Sequence, residues 1–263
     1  MTSTIGTPAA GTDTFLWLED KGRDFPFYNG APVALSGTQW LIVMAAIVVG
    51  FLILALPIDW PGGAMLGPLI PAVLMPLIPM VALAYVAPGH WRALFGKVGG
   101  REIRLMVGFA LLNVVVSFCV GAMVGRFTEV TPNASAAGLA ELDAAGLAAF
   151  FAKTLPQLLG EEIITLLPFL AILYVCTHRL RMGRKAGVIV AWLVSALIFG
   201  LLHLPTYDWN VIQCVVIIGS ARLVLTLPWI MTKNLWVSTG AHILNDWLLF
   251  SMVLLGANLA SQA

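Results

Sequence analysis

Seven apolar runs, each close to the length that crosses a lipid bilayer, take up most of this chain and leave it few folds to adopt. A hydrocarbon core of about 30 Å asks for roughly 20 residues of helix, and the runs fall at 40–57, 64–87, 103–125, 147–176, 186–204, 210–230 and 234–256. Backbone N–H and C=O groups find no water at that depth, so runs of this length must satisfy them internally as helices. The composition agrees: 60% of the 263 residues are hydrophobic and 10% are charged, against roughly 25% charged in soluble domains, with a mean hydropathy of +0.94. We therefore expect an all-α fold, a polytopic membrane helix bundle of about seven transmembrane helices. Residues 1–37 read as a cytosolic lead-in, with an interfacial turn around Phe15, Leu16 and Trp17, and residues 38–263 as a single transmembrane bundle.

Details within the runs add expectations. The second holds Pro68, Pro71, Pro76 and Pro79, each of which removes a helical hydrogen bond, so a kink or break is expected there. Gly121 and Gly125 form a small-x-x-x-small pair suited to close helix contact. Cys119, Cys176 and Cys214 lie in or at the end of apolar runs without C-x-x-C spacing and read as small core residues.

Orientation follows from the basic residues, which gather on the cytoplasmic side of membrane proteins. Lys21, Arg23, Arg92, Lys97, Arg101, Arg104, Arg179, Arg181, Arg184, Lys185 and Lys233 all fall before the first run, in alternate connections or, for Arg104, at the very start of the third run. The remaining connections hold Arg126 beside Glu129, Glu141, Asp143, Asp59 and Asp208. An integral membrane protein with its N-terminus cytoplasmic and its C-terminus outside is expected, and the compact architecture suggests a bacterial inner membrane. A net charge of +1 without a concentrated basic face excludes nucleic acid. Membrane lipids and a membrane-associated peptide or protein are the expected partners.

Ionisable side chains interrupt the apolar pattern at Glu161 and Glu162 in the fourth run, His203 in the fifth, and His242 with Asp246 in the seventh. A charge at bilayer depth costs from about 3 to more than about 10 kcal/mol, so these groups should converge in the bundle interior. Spacing of i, i+4 places Glu161 with Thr165, Phe199 with His203, and His242 with Asp246 on shared faces. Successive glutamates point about 100° apart, leaving one for chemistry while the other pairs with a helper. His203, His242 and Glu161 could hold a divalent metal such as zinc, with the spare glutamate taking a proton from bound water. Without metal, a glutamate can activate water directly while a histidine or amide stabilises the oxyanion. Plainer alternatives stay open: a proton path in a transporter, packing histidines, a glutamate paired with Lys153 or Arg222, or Asn245 and Asp246 pairing helices. Tyr207, Trp209, Trp236 and Trp247 read as interfacial belt and core. The chain has no H-E-x-x-H, the ordinary zinc-protease signature.

The order E-E at Glu161-Glu162, F-x-x-x-H from Phe199 to His203, and H-x-x-x-D from His242 to Asp246 resembles the CPBP family of intramembrane proteases. That family includes the CAAX prenyl endopeptidases and Abi-type bacterial relatives linked to bacteriocin processing. The resemblance covers residues 147–256 and implies an endopeptidase hydrolysing a peptide bond of a membrane-associated peptide or protein, prenylated CAAX tails being one such substrate. It implies that Glu161 activates water with support from Glu162, and that His203 and His242 bind a metal or position water and oxyanion. Asp246 would orient His242 or complete the site where many relatives have asparagine.

One departure matters. The family's first motif usually runs E-E-x-x-x-R, and position 166 here is Leu, so a glutamate would lack its usual cation. Arg222, in the sixth run, is expected to reach Glu162 or Asp246 across the bundle in its place. The alternatives are a noncatalytic immunity or scaffold protein of the same fold and a proton-coupled transporter, the latter predicting internal repeats that the sequence does not show. The run boundaries also raise a conflict of depth. His203 lies about 17 residues, or roughly 26 Å, from the cytoplasmic end of its run, whereas His242 lies about 8 residues, or roughly 12 Å, into its own. A tilted or shortened fifth or sixth helix, or a seventh starting at Gly240, would reconcile them.

Overall fold

A computed structural model describes residues 14–260; the first 13 residues of the expected lead-in lie outside the described residues. Among the described residues the chain forms α-helices, short 3₁₀ and π turns, and no strand. The α-helices are α1 (Gly37–Ala55), α2 (Gly63–Leu66), α3 (Leu69–Val86), α4 (Gly100–Val124), α5 (Ala144–Tyr174), α6 (Arg184–Leu202), α7 (Gly219–Thr232) and α8 (Leu235–Ala260). A π-helical turn over Val175–Arg179 extends α5, and another over Gln213–Ile218 leads into α7. Among the described residues, seven helical segments are long and apolar enough to cross a membrane, and the chain is an integral membrane protein.

Local chemistry sets the helix starts. The Ser36 hydroxyl accepts from the Gln39 N–H while Gln39 accepts from the Ser36 N–H, a reciprocal cap that opens α1. Asp143 accepts from the Gly146 N–H at 2.7 Å and opens α5. The proline-rich run does break, at its start: one turn of α2 is followed by Pro68 at the cap of α3. Pro68 and Pro71 thus occupy positions where a missing N–H costs nothing, while α3 continues through Pro76 and Pro79. Gly121 and Gly125 do not form the expected close helix contact, since a Cβ on Gly121 would meet nothing within 4 Å. The close approach is instead at Gly50 of α1, whose Cβ would sit 2.8 Å from the Met75 carbonyl oxygen of α3.

Burial identifies α5 as the axis. Within its apolar window 72% of residues are buried, compared with 22% in α1 and α4, whose exposed Leu41, Val48, Val115 and Phe118 contribute to an apolar perimeter. Helices α1, α3, α6 and α8 pack around α5. At one end of the bundle, residues 14–36 fold as a strap against the helices, with Phe25 and Phe27 each only 1% exposed. Arg23 of the strap donates to the carbonyls of Ala93 and Phe95, at 2.7 Å each. Glu19 accepts from Arg184 and from Lys233, both at 2.7 Å, and the Asp20 N–H bonds the Met231 carbonyl at 2.8 Å.

Candidate active site

Adjacent glutamates on α5 point to different neighbours. Glu162 is fully buried and faces α7 and α8. Arg222 of α7, itself fully buried, donates from Nη1 to Glu162 Oε1 at 2.5 Å and from Nη2 to Oε2 at 3.1 Å. The guanidinium Nε donates to Thr226 Oγ1 at 3.1 Å, and its carbon lies 5.1 Å from the centre of the Phe199 ring. This two-pronged pair with added hydrogen bonds is the arrangement that lets a charge pair persist away from water. Leu166, where the family motif carries arginine, is apolar core at 1% exposure. Arg222 therefore supplies the cation to Glu162 from a different helix, and Asp246 is left to other partners.

The two histidines come together around Glu161. His203, at the C-terminal cap of α6, holds the Phe199 carbonyl with Nδ1 at 2.8 Å. A carbonyl only accepts, so Nδ1 carries the proton and Nε2 is turned toward Glu161 Oε2, at 3.9 Å. His242 holds Glu162 Oε1 with Nδ1 at 2.9 Å, and its Nε2 lies 3.8 Å from Glu161 Oε2 and 3.6 Å from Asp246 Oδ1. Glu162 is thus the group that orients His242, while Asp246 stands on the opposite, Nε2 side of the ring. Gaps of 3.6–3.9 Å are too long for direct hydrogen bonds and suit a water held between the groups. Phe199 organises the cluster, its ring centre lying 4.4 Å from His203 and 6.2 Å from His242.

How the histidines reach a common depth follows from burial. The seventh span starts at Leu235 rather than Gly240, and the chain entering it is already inside: Lys233 is fully buried, Asn234 is 3% exposed and Leu235 1%. The Asn234 side chain accepts from the Gly96 N–H at 2.9 Å and donates to the Lys97 carbonyl at 3.0 Å. With the strap and the loop after α3 covering it, α8 begins beneath the surface of the bundle, and His242 sits deep although it is only two turns along its helix.

Polar residues that the motif pattern did not single out complete the surroundings. Gln157, one turn before Glu161, donates to Glu161 Oε1 at 3.1 Å. Asn113 of α4 donates to Asn245 Oδ1 at 3.0 Å, and Asn245 donates to Asp246 Oδ1 at 2.9 Å. Thr165 bonds the backbone carbonyl of Glu161 rather than its carboxylate, at 2.8 Å. Tyr207, read from the sequence as belt or core, is buried in the cavity wall; burial first, then the nearby carboxylate of Asp246, raises its phenol above the usual range and keeps it a hydroxyl donor. The lone amide within the run at 103–125 was the available signal for Asn113, and i−4 spacing from Glu161 was that for Gln157. A cavity of about 620 Å³ is lined by Glu161, His203, His242 and Asp246, with Gln157 and Asn113 among its other walls.

Two imidazole nitrogens and a carboxylate are donor types that zinc uses. Among the described residues, however, no group of three or more His, Cys, Asp or Glu side chains is placed to hold a metal ion. The donor types of His203, His242 and Glu161 suit a divalent metal, while the side chains as they stand leave 3.8–3.9 Å between Glu161 Oε2 and each imidazole Nε2.

A family model described as type II CAAX prenyl endopeptidase Rce1-like matches residues 143–248. No curated protein and no solved structure gives a significant match. The matched stretch begins at the cap of α5, ends two residues beyond Asp246, and includes Glu161, Glu162, His203, Arg222 and His242. The segment that builds the cavity's polar floor is thus the part of the chain that is similar to the Rce1-like type II CAAX prenyl endopeptidases.

Proposed function

We propose that the protein is an intramembrane endopeptidase in which Glu161 activates water for attack on a peptide bond. The observation that carries this reading is the convergence of Glu161 Oε2 with the Nε2 atoms of both histidines, at 3.9 and 3.8 Å, on a cavity large enough for a stretch of polypeptide. A water between these groups donates one proton toward Glu161 and rests against the imidazoles. As its oxygen bonds to the scissile carbon, Glu161 takes that proton and the carbonyl electrons move to oxygen. Collapse of the intermediate breaks the C–N bond, and the departing nitrogen takes the proton back from Glu161, so each turnover consumes one water and regenerates the carboxylate.

The other residues hold this geometry. Glu162, fixed by Arg222, orients His242 through Nδ1; the Phe199 carbonyl does the same for His203; Asn245 and Asn113 steady Asp246. The substrate is a peptide or protein segment at the membrane, prenylated tails being one class the family acts on. A membrane-tethered peptide library in liposomes tests the reading. We expect the wild type to cleave members of the library, and Glu161→Gln and His203→Ala, shown to fold by an unchanged melting temperature, to lose that cleavage. Folded wild type that cleaves nothing across a broad library, or variants that cleave as well as wild type, would overturn it.

A further inference from the structure

The two ends of the bundle are built differently, and the connections of only one of them contribute to the cavity wall. At one end lie the strap and the connections rich in lysine and arginine, tied to one another by side-chain bonds. Arg101 pairs with Asp20 at 2.8 Å, and Arg184 with both Glu19 at 2.7 Å and Asp24 at 2.8 Å. Phe25, Phe27, Glu19 and Lys233 are all buried beneath this layer. No residue of the strap, of the α3–α4 connection, of the turn at 180–183 or of Lys233 and Asn234 lines the cavity.

At the other end the cavity wall is made by the α4–α5 connection, through Asn133 and Ser135, and by the loop after α6, through Thr206 and Tyr207, with Leu54 and Ala55 from the last turn of α1. These loops are pinned together. Gln213 accepts from the Thr131 N–H at 2.7 Å and donates to the Thr131 carbonyl at 2.9 Å, and Asn210 donates to the Glu129 carbonyl at 3.0 Å. The single basic residue in the connections at this end is Arg126. Membrane proteins place their lysine- and arginine-rich short loops in the cytoplasm.

We infer that the active-site cavity opens on the face opposite the basic loops, away from the cytoplasm, and that its substrate is a polypeptide segment presented at the non-cytoplasmic surface of the membrane. The sidedness stands on the cavity and the loops alone; the word substrate rests on the proposed hydrolysis. A tail tethered to the cytoplasmic leaflet would have to pass the sealed, strapped end to reach Glu161. A segment that has already crossed the membrane meets the site directly.

Single cysteines decide the matter. Cys176 and Cys214 are buried and Cys119 lies on the apolar perimeter of α4, so the wild type is the blank for a charged, membrane-impermeant maleimide. Ser135→Cys places a thiol at the cavity rim and Lys97→Cys places one at the basic end, both at exposed positions. Ser135→Cys is expected to be labelled in intact cells, and Lys97→Cys only in inverted vesicles. The reverse pattern would overturn the sidedness whatever the enzyme cleaves. A peptide found by library cleavage, tethered to one or the other face of oriented vesicles, should be cut only on the non-cytoplasmic face; cutting confined to the cytoplasmic face would overturn the inference. Correct labelling with no cleavage on either face would retain the sidedness and tell against the proteolytic reading instead.

Discussion

At the scale of single residues, the site depends on one relocated arginine. Removing one partner of a buried ion pair leaves the other charge uncompensated and costs about 3–5 kcal/mol, so Arg222→Leu should lower the melting temperature in detergent sharply and abolish cleavage. Leu166 lies one helical turn after Glu162, on the same face, so the double variant Leu166→Arg/Arg222→Leu should recover a measurable part of both. Failure of the double variant to improve on Arg222→Leu would show that Arg222 does something beyond pairing Glu162. The need for a substitute cation was legible in the sequence, because Leu stands where a buried glutamate calls for a charge and the sixth run offers Arg222 within otherwise apolar surroundings. The orienting role of Glu162 toward His242 was not, because i, i+4 spacing pointed to Asp246, and only the packing of α5 against α8 shows which carboxylate meets Nδ1.

At the scale of elements, the strap and the close contact at α6 carry the site's precision. Glu19 lies outside the spans; burial pushes its pKa up, but hydrogen bonds from Arg184 and Lys233 outweigh this and hold it below the ordinary value. Lys233 is also lowered, since burial weighs against its charge and the like charge of Arg184 adds to this, although Glu19 pulls the other way; the depressed Glu19 is the shift that governs the acid side. A depressed carboxylate contributes stability that is fully present above its unfolded pKa of about 4.3 and is lost as pH falls through the folded value. Thermal stability should therefore drop on acidification below about pH 4, and Glu19→Gln should be less stable than wild type at pH 7 with a shallower acid loss; an identical acid profile in the variant would contradict this. At Gly200, beside Phe199, an added Cβ would sit 2.5 Å from the Cys214 carbonyl oxygen. Gly200→Ala must push α6 from the π turn and is expected to reduce cleavage more than tenfold, a displacement of about 1 Å being enough for a larger loss. The helices themselves were readable from run length and hydropathy. The strap was not, because its packing rests on Phe25, Phe27 and Glu19 in a polar segment with no periodic pattern, and the recessed start of α8 beneath it is what removes the apparent conflict of depth between the histidines.

At the scale of the whole molecule, seven spans, a strapped basic end and a cavity floored by two carboxylates and two imidazoles keep polar groups together in a place that lipid would keep dry, and the proposed reaction uses that cavity to bring water to a peptide. Because Glu161 itself takes the proton from water in the proposed reaction, EDTA or phenanthroline is expected to leave cleavage within about twofold of the untreated enzyme; loss of activity restored by zinc alone would show that the side chains close around an ion. Glu161 remains the centre of the account, and comparing initial cleavage rates of one identified peptide by wild type, Glu161→Gln and Glu162→Gln in liposomes tests it most directly. Loss of a positioned general base removes about 10²- to 10⁴-fold in rate, so Glu161→Gln should fall by at least that much with its melting temperature unchanged, whereas Glu162→Gln should lose rate and stability together. A folded Glu161→Gln protein cutting within tenfold of the wild-type rate would contradict the account, because water would then be activated by some other group.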